Sequence, residues 1–309
     1  MTASSEVLRR VHATAAQQDW VVTIPQLKSA GADRNTVRRM LRSGQWVPLA
    51  RGSYWVVRDD RGPSLRTRVR GALLTCGPQV VAAGPTAARL LGIQGLPKDD
   101  GTLHLAAPPG HEIRSRPGIR VHRTTISPTT RMTLRGIPLT TPVRTCADLL
   151  LHLPRMEAVS VLDSALHQGL LTDLDLLAIP PLLSGRPGAP RARTWLPLAN
   201  AQAESPLETR VRLICLDGGL PPPVLQWRIL DPIQGCSYRI DLAWPTHLVG
   251  IEADGKAPHS TPRALYQDRS RQNRLSTLLP ALTLLRFTWP DTYHPPSILI
   301  PLRQALRLP

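Results

Sequence analysis

The stretch S-Y-R-I-D-L-A-W-P-T-H-L-V-G-I-E-A-D-G-K, residues 237–256, decides how the last third of this chain folds. Two strand-like runs flank Thr246-His247. With those two residues as a hairpin turn, Trp244 faces Val249 and Asp241 faces Glu252. Strand side chains alternate, so Glu252 and Asp254 are predicted on the same face as Asp241. Three carboxylates then share one patch, the first two about 5 Å apart. Directly opposed like charges are destabilising unless something compensates. A hard divalent cation, Mg²⁺ (or Mn²⁺), is the natural compensator because it takes carboxylate and water oxygens. The register depends on turn length, and a one-residue slip would send each side chain to the other face. Tyr238, Ile240, Leu242, Leu248 and Ile251 are predicted to bury both strands and make the platform rigid.

Upstream, Q-A-E-S-P-L-E-T-R-V-R-L-I-C-L-D-G-G (202–219) reads as a helix. Ser205 caps it, Pro206 opens it and Gly218 ends it, with Leu207, Val211, Ile214 and Cys215 on the buried face. Glu208 has two readings, as the partner in a capping box and as a further ligand of the carboxylate patch. Glu204 lies near it and completes the same expected metal shell. Downstream, Arg263, Arg269, Arg271 and Arg274 are candidates for phosphate contact, while Asp268 can pair with one of them in a structural bridge. His259 reads either as a surface histidine or as a general base.

Asp241, a ten-residue gap and then Glu252-x-Asp254-Gly255 resemble the PD-(D/E)XK nuclease superfamily, and within it the branch similar to very-short-patch mismatch repair endonucleases. S-P-L-E at 205–208, His259, D-R-S-R-Q-N-R-L at 268–275 and L-L-R-F-T-W ending at Trp289 support the resemblance, which covers about residues 200–294. It implies Mg²⁺-dependent hydrolysis of a DNA phosphodiester. Asp241 and Glu252 would bind metal, Asp254 would support or join them as a ligand, Glu208 or Glu204 would complete the shell, and Lys256 or His259 would handle proton transfer. The superfamily pattern places lysine two residues after the second acid, and here that place holds Asp254. Three readings follow: Lys256 reaches in, His259 is the base, or the site is catalytically dead.

The opposite end of the chain is its most basic part. The protein has 309 residues, 38 Lys+Arg against 22 Asp+Glu, a net charge of +16 and a pI near 11.2. Only Lys28, Lys98 and Lys256 are lysines, a skew that reflects codon bias, but codon bias does not explain the excess over acids. That excess is the footprint of a polyanion binder. Residues 1–75 are the most basic, with 13 basic and 5 acidic residues.

Residues 1–57 read as three helices and a hairpin. Ser5 caps a helix reaching about Gln18. Thr23 caps a short second helix with Pro25 in its first turn. Asp33 caps a third, R-N-T-V-R-R-M-L-R-S, that stops at Gly44. Val37, Met40 and Leu41 give this third helix an apolar face, and Arg34, Arg38, Arg39 and Arg42 cover most of the rest. Two strand-like runs follow around Ala50-Arg51-Gly52-Ser53. This order is that of a winged helix-turn-helix, with the third helix in the major groove and the hairpin, with Arg51, on the backbone. The alternative is a small helical domain whose arginines are a solvated face.

In the middle third a helix is expected over Pro85–Leu91, strands over Thr102–Ala106 and Ile119–His122, and helices over Pro142–Leu153 and Met156–Gln168. His104, His111, His122, His152 and His167 share no ligand spacing and read as structural or surface residues. Ser184–Arg193, rich in Pro, Gly and Arg, reads as a linker or exposed loop. The winged helix and middle region resemble the AbiEi-type antitoxin of type IV toxin–antitoxin systems, most specifically in P-L-T-T-P-V-R-T-C-A-D-L at 138–149. The two resemblances together are similar to actinobacterial proteins that join such an N-terminal part to a repair-endonuclease-like domain.

The expected architecture is therefore α/β multidomain: a winged helix-turn-helix over 1–60, a middle α/β antitoxin-like region over 61–199 and a restriction-endonuclease-like α/β domain over 200–309. The leading expectation is a DNA-binding protein with a metal-dependent endonuclease domain. The alternative is a non-enzymatic repressor or antitoxin that keeps an inactive nuclease fold, with a toxin partner left unidentified, and a third class is an RNA-directed nuclease. The four cysteines form no CxxC pair, no apolar run reaches the roughly 18 residues of a membrane span, and no secretory signal opens the chain. A soluble cytoplasmic protein is expected.

Overall fold

The computed structural model describes residues 3–255 and 262–308 and divides into two compact units, residues 1–92 with 98–149 and residues 93–97 with 150–309. These units cut across the sequence boundaries at 60 and 199, and the packing gives the reason in each case.

In the first unit, α1 (Ala3–Ala16), β1 (Val21–Thr23), α2 (Ile24–Ser29), α3 (Arg34–Arg42), β2 (Trp46–Ala50) and β3 (Ser53–Val56) form the helical head and its wing. The three strands make an antiparallel sheet in the order β1-β3-β2. Val11, Ala15, Leu27, Met40 and Trp46 fill the core between helices and sheet. Next comes α4 (Leu65–Cys76), then β4 (Val81–Ala82), α5 (Gly84–Leu91), β5 (Leu103–Ala107), β6 (Ile119–Arg123), β7 (Arg131–Leu134), β8 (Ile137–Thr140) and α6 (Pro142–Leu150). The strands build a five-stranded mixed sheet, β6-β5-β4-β8-β7. α4 serves both halves. Val69, Ala72 and Leu73 enter the core of the five-stranded sheet. Gly71 lies so close to the wing that a Cβ there would sit 2.8 Å from Leu49 Cδ1. Arg66 and Arg70 also reach back from α4 to Asp19, at 2.7 and 2.9 Å. The head and the sheet therefore share a helix, and no boundary falls at residue 60.

The second unit holds α7 (Arg155–His167), α8 (Asp173–Leu177), α9 (Ile179–Leu183), α10 (Ala189–Arg193), α11 (Pro206–Asp217), β9 (Val224–Asp231), β10 (Cys236–Trp244), β11 (Val249–Ala253), α12 (Pro262–Leu278), β12 (Thr283–Phe287) and α13 (Pro296–Leu306). Its sheet runs β12-β11-β10-β9, with β11 and β12 parallel and the other pairs antiparallel. One face packs on α11 and α13 through Leu207, Val211, Leu225, Leu242, Ile251 and Leu302. The other packs on α12 through Ile229, Ile240, Ala243 and Leu275. α7 joins this unit because it packs on α11. The expected linker over 184–193 is instead partly helical. Ala189 and Ala192 are buried, Arg191 donates to the Leu151 carbonyl, and a Cβ on Gly188 would come 3.0 Å from that oxygen. Small residues make this close approach possible, so a composition that suggests a linker here serves packing. No helix among the described residues is long and apolar enough to cross a membrane.

Candidate functional site

α3 is held on one side and exposed on the other. Asp33 caps it, accepting from the Thr36 N–H at 2.7 Å, and that bond holds the Asp33 carboxyl below its ordinary range. Met40 is buried, and Val37 and Leu41 pack against the core of the head. Arg34, Arg38, Arg39 and Arg42 are exposed, as expected from the sequence. Arg34, Arg38 and Arg42 follow one another at i, i+4 spacing, where each like-charge pair costs a helix about 0.2–0.5 kcal/mol. A polyanion laid along the stripe would offset that cost. Arg51 is exposed at the β2–β3 turn. Gly52 closes this turn at φ +86°, and its carbonyl accepts from Ile24 N–H at 3.0 Å, tying the wing tip to α2.

The carboxylates lie in the second unit. The β10–β11 register is the one read from the sequence, with Trp244 opposite Val249 and Leu242 opposite Ile251. The turn itself is longer than expected, a short 3₁₀ segment over Pro245–His247 followed by Leu248 at φ +51°. The ladder ends at the Leu242–Ile251 pair, and Asp241 and Glu252 are the next residues on the two strands. Asp241 accepts from the Ala253 N–H at 2.9 Å. Burial raises its pKa, and the charge of Glu252 raises it further. Glu208 is buried at the start of α11, and burial, with the charges of Asp241 and Glu204, raises its pKa too. Ser205 caps α11 as expected, but the reciprocal bond from Glu208 runs to the Glu204 N–H at 3.0 Å.

The structure does not gather all the expected ligands. Glu204 forms a two-point pair with Arg239, each contact 2.6 Å. Asp254 is exposed beyond the end of β11, its N–H bonded to the Phe287 carbonyl at 2.8 Å. Glu252 is held by Arg271 from α12 and by Arg286 from β12, the latter at 3.1 Å. Arg271 also donates to the Arg239 carbonyl at 2.6 Å, so it braces the sheet where phosphate contact was expected. Arg274 forms a two-point pair with buried Asp231, which likewise makes it structural. Arg269 is exposed. Lys256 and His259 lie outside the described residues, as do the side chains of Arg263 and Asp268.

The reason for the altered patch is a change of face in the sheet. Pairs on either side, Trp227 with Ile240 and Leu225 with Leu242, leave Gln226 opposite Asp241. Gln226 has φ +54°. Leu225, Leu242 and Trp244 face α11, whereas Trp227, Ile229, Tyr238 and Ile240 face α12. Both strands thus turn over at Gln226 and Asp241. Gln226 donates through Nε2 to Glu208 Oε2 at 2.8 Å, and its Oε1 is buried without a partner among the described residues. Among the described residues no three His, Cys, Asp or Glu side chains converge to hold a metal. Glu208 and Asp241 nevertheless supply two hard carboxylates whose charges act on each other. That donor set fits Mg²⁺, which is commonly held by one or two carboxylates and keeps several waters.

One pairing in the first unit was also not foreseen. His104 Nδ1 and His122 Nε2 lie 3.0 Å apart on adjacent strands, and burial with the His122 charge lowers the His104 pKa to about 4. Spacing in the sequence could not show it, because the contact depends on the parallel register of β5 and β6, which the 11-residue segment between them does not fix.

Residues 9–57 match a family model described as "Transcriptional regulator, AbiEi antitoxin". Two uncharacterized proteins of Mycobacterium tuberculosis, MT2308 of strain CDC 1551 and Rv2248 of strain H37Rv, are each 30% identical over 219 residues, which cover 70% of this chain and 78% of each relative. The crystal structure of the RV2827C protein from Mycobacterium tuberculosis aligns at TM-score 0.45 and 19% identity, over 75% of this chain and 91% of that one.

Proposed function

This chain belongs to the family of the uncharacterized mycobacterial protein Rv2248, and from that premise we propose that it is a DNA-binding transcriptional regulator of the AbiEi antitoxin type. One observation carries the reading. The residues that match the antitoxin model are those that fold into the head, and its capped third helix exposes Arg34, Arg38, Arg39 and Arg42. In this reading α3 enters the major groove, Arg51 at the wing tip meets phosphate, and a toxin is the protein partner. The test is selection of duplexes from a random library by the full chain, followed by binding titrations of the winner at several salt concentrations. Wild type should select a consensus and lose affinity steeply with salt. Enrichment of no sequence, with no duplex binding at low salt, would refute it.

A second reading, nuclease-like chemistry in the second unit, is favoured by the closeness of Asp241 to Glu252 and to buried Glu208, each of which acts on its neighbour's charge. Glu208 and Asp241 would hold Mg²⁺ or Mn²⁺. When bound, the ion would lower the pKa of a water and stabilise charge on a phosphate. Arg271 and Arg286 keep Glu252 in place. Incubation of the full chain with supercoiled plasmid and Mg²⁺ or Mn²⁺, with and without EDTA and beside Asp241→Ala and Glu208→Ala, tests this. Cation-dependent nicking lost in both variants supports it; an intact plasmid in every arm, with mismatched and single-stranded substrates also uncut, removes it.

A further inference from the structure

We infer that the free edge of β9 is a docking site for an extended acidic segment of a partner protein, taken up as a fifth strand of the sheet. The order β12-β11-β10-β9 leaves β9 with a neighbour on one side only. An edge strand presents a row of unpaired N–H and C=O groups, and proteins commonly blunt it with shortness, proline or lysine. β9 has eight residues, Val224–Asp231, and neither proline nor lysine among them. Its irregularity at Gln226 leaves Trp227–Asp231 in unbroken pairing with β10. Side chains on this stretch divide by face. Trp227 and Ile229 pack toward α12. Arg228 and Leu230 alternate with them and point the other way. Arg228 is exposed, Leu230 is 75% exposed, and Ile233 in the turn that follows is 80% exposed. Apolar side chains beside an open strand edge form a surface that a partner can cover while it pairs with the backbone.

Charge decides the chemistry of the occupant. Arg228 lies directly opposite Arg239 on β10. Like charges so placed are destabilising unless something compensates. Glu204 takes Arg239 in its two-point pair, and Arg228 has no acidic partner among the described residues. A strand added outside β9 sets a side chain across from Arg228 at about 5 Å, and an acid there supplies the missing counter-charge. An apolar residue two places along then meets Leu230 on the same face. A second copy of this chain would instead bring another Arg228 and a further net charge of +16, which opposes self-pairing. A nucleic acid would meet the charge but has no strand backbone to pair with the edge, and it leaves Leu230 and Ile233 uncovered.

The probe is a fluorescent peptide, T-E-T-V-T-E-T-V-T-E, which as a strand sets Glu and Val in turn along one face. It is titrated into the full chain and followed by anisotropy. It should bind and slow hydrogen exchange at the amides of residues 224–231. Affinity should fall roughly tenfold or more when Lys replaces Glu in the peptide, and binding should be lost when every peptide nitrogen is methylated. Arg228→Glu should reverse the preference, so that the Lys peptide becomes the tighter one. This variant keeps its fold, because the side chain is exposed and its repulsion with Arg239 is removed. The β9 site is overturned if the Glu peptide does not bind, if the Glu and Lys peptides bind wild type alike, if the methylated peptide binds as well as its parent, or if protection falls outside 224–231. Two further results also overturn it. A single-stranded oligonucleotide that protects 224–231 when the peptide does not would make the edge a nucleic-acid surface. A dimer of the full chain that protects the same amides would give the edge to a second copy.

Discussion

Asp163 on α7 and Arg212 on α11 meet at 2.8 Å with 1% and 8% of their side chains exposed. Asp163 also accepts from Thr209 Oγ1 and from the Asn200 N–H, each at 2.7 Å, and Arg212 donates to the Leu198 carbonyl at 2.8 Å. One ion pair thus joins two helices and the segment between them. Removing one partner leaves a buried charge uncompensated, a loss of about 3–5 kcal/mol. Asp163→Ala should lose stability of that size in urea unfolding. The double change Asp163→Leu with Arg212→Met should recover much of it, since apolar replacement of a buried pair is often tolerated. A loss below about 1 kcal/mol in the single variant would show that the pair does not hold α7 to α11.

On α3, Arg38→Ala and Arg42→Ala should each weaken duplex binding. Each should also make the salt dependence shallower, by about one unit of slope for every phosphate that is no longer neutralised. Stability should change by less than about 0.5 kcal/mol, because both side chains are exposed. Fluorescence anisotropy across a salt series measures the affinity and the slope, and urea unfolding the stability. An unchanged slope would place the arginines away from DNA.

The carboxylates predict a pH dependence. Glu208 and Asp241 have folded pKa values above their ordinary ones, chiefly through burial. Groups raised in this way stabilise the fold below the ordinary carboxylate pKa of about 4, and that contribution is lost as pH rises through their folded values. In EDTA, Asp241→Asn should therefore melt at or above the wild-type temperature at neutral pH, by about 1–3 °C, with the difference vanishing in acid. An Asn side chain still accepts from the Ala253 N–H. A variant that melts several degrees lower would point to a structural role for the charge.

Asp231 should behave in the opposite sense. Its two-point bond to Arg274 holds its carboxyl far below the ordinary range. The stability it adds is present above the unfolded pKa of about 3.9 and is lost as pH falls through the folded value. Asp231→Asn should be destabilised at pH 7 and converge on wild type in strong acid, as read by thermal unfolding. A gap that stays constant with pH would show that the charge of Asp231 is not what stabilises this pairing.

Gly71→Ala sets two effects against each other. Alanine gains about 1 kcal/mol of helix propensity. Its Cβ would meet Leu49 Cδ1 at 2.8 Å and Leu49 Cβ at 2.9 Å, and overpacking of that kind costs about 1–3 kcal/mol. The net expectation in urea unfolding is a loss of stability. A gain would mean that the wing gives way.

Local signals were legible in the sequence where they are self-contained. Asp33 caps α3, Gly92 closes α5 in the left-handed region, and the β10–β11 register follows from residues within one hairpin. That register holds despite the longer turn because burial of Leu242, Trp244, Val249 and Ile251 fixes it independently. The face change at Gln226 and Asp241 was not legible. Leu225, Trp227 and Ile229 keep perfect alternation, as do Tyr238, Ile240, Leu242 and Trp244, so the pattern looks like one buried face. Apolar cores on both sides of the sheet accept those residues equally, and alternation cannot report which core each one enters. The arginines on Glu252 come from α12 and β12, reached only through the parallel pairing of β11 with β12.

α4 has a consequence for how such a chain can change what it reads. Its one surface closes the wing through Gly71, and another seals the five-stranded sheet through Val69 and Leu73. A recombination event that exchanged only residues 1–60 would bring in a wing with no matching notch on α4. New binding specificity can be acquired by exchange only if the crossover lies beyond Cys76, carrying the helix with the head; otherwise it must accumulate residue by residue on the exposed stripe of α3.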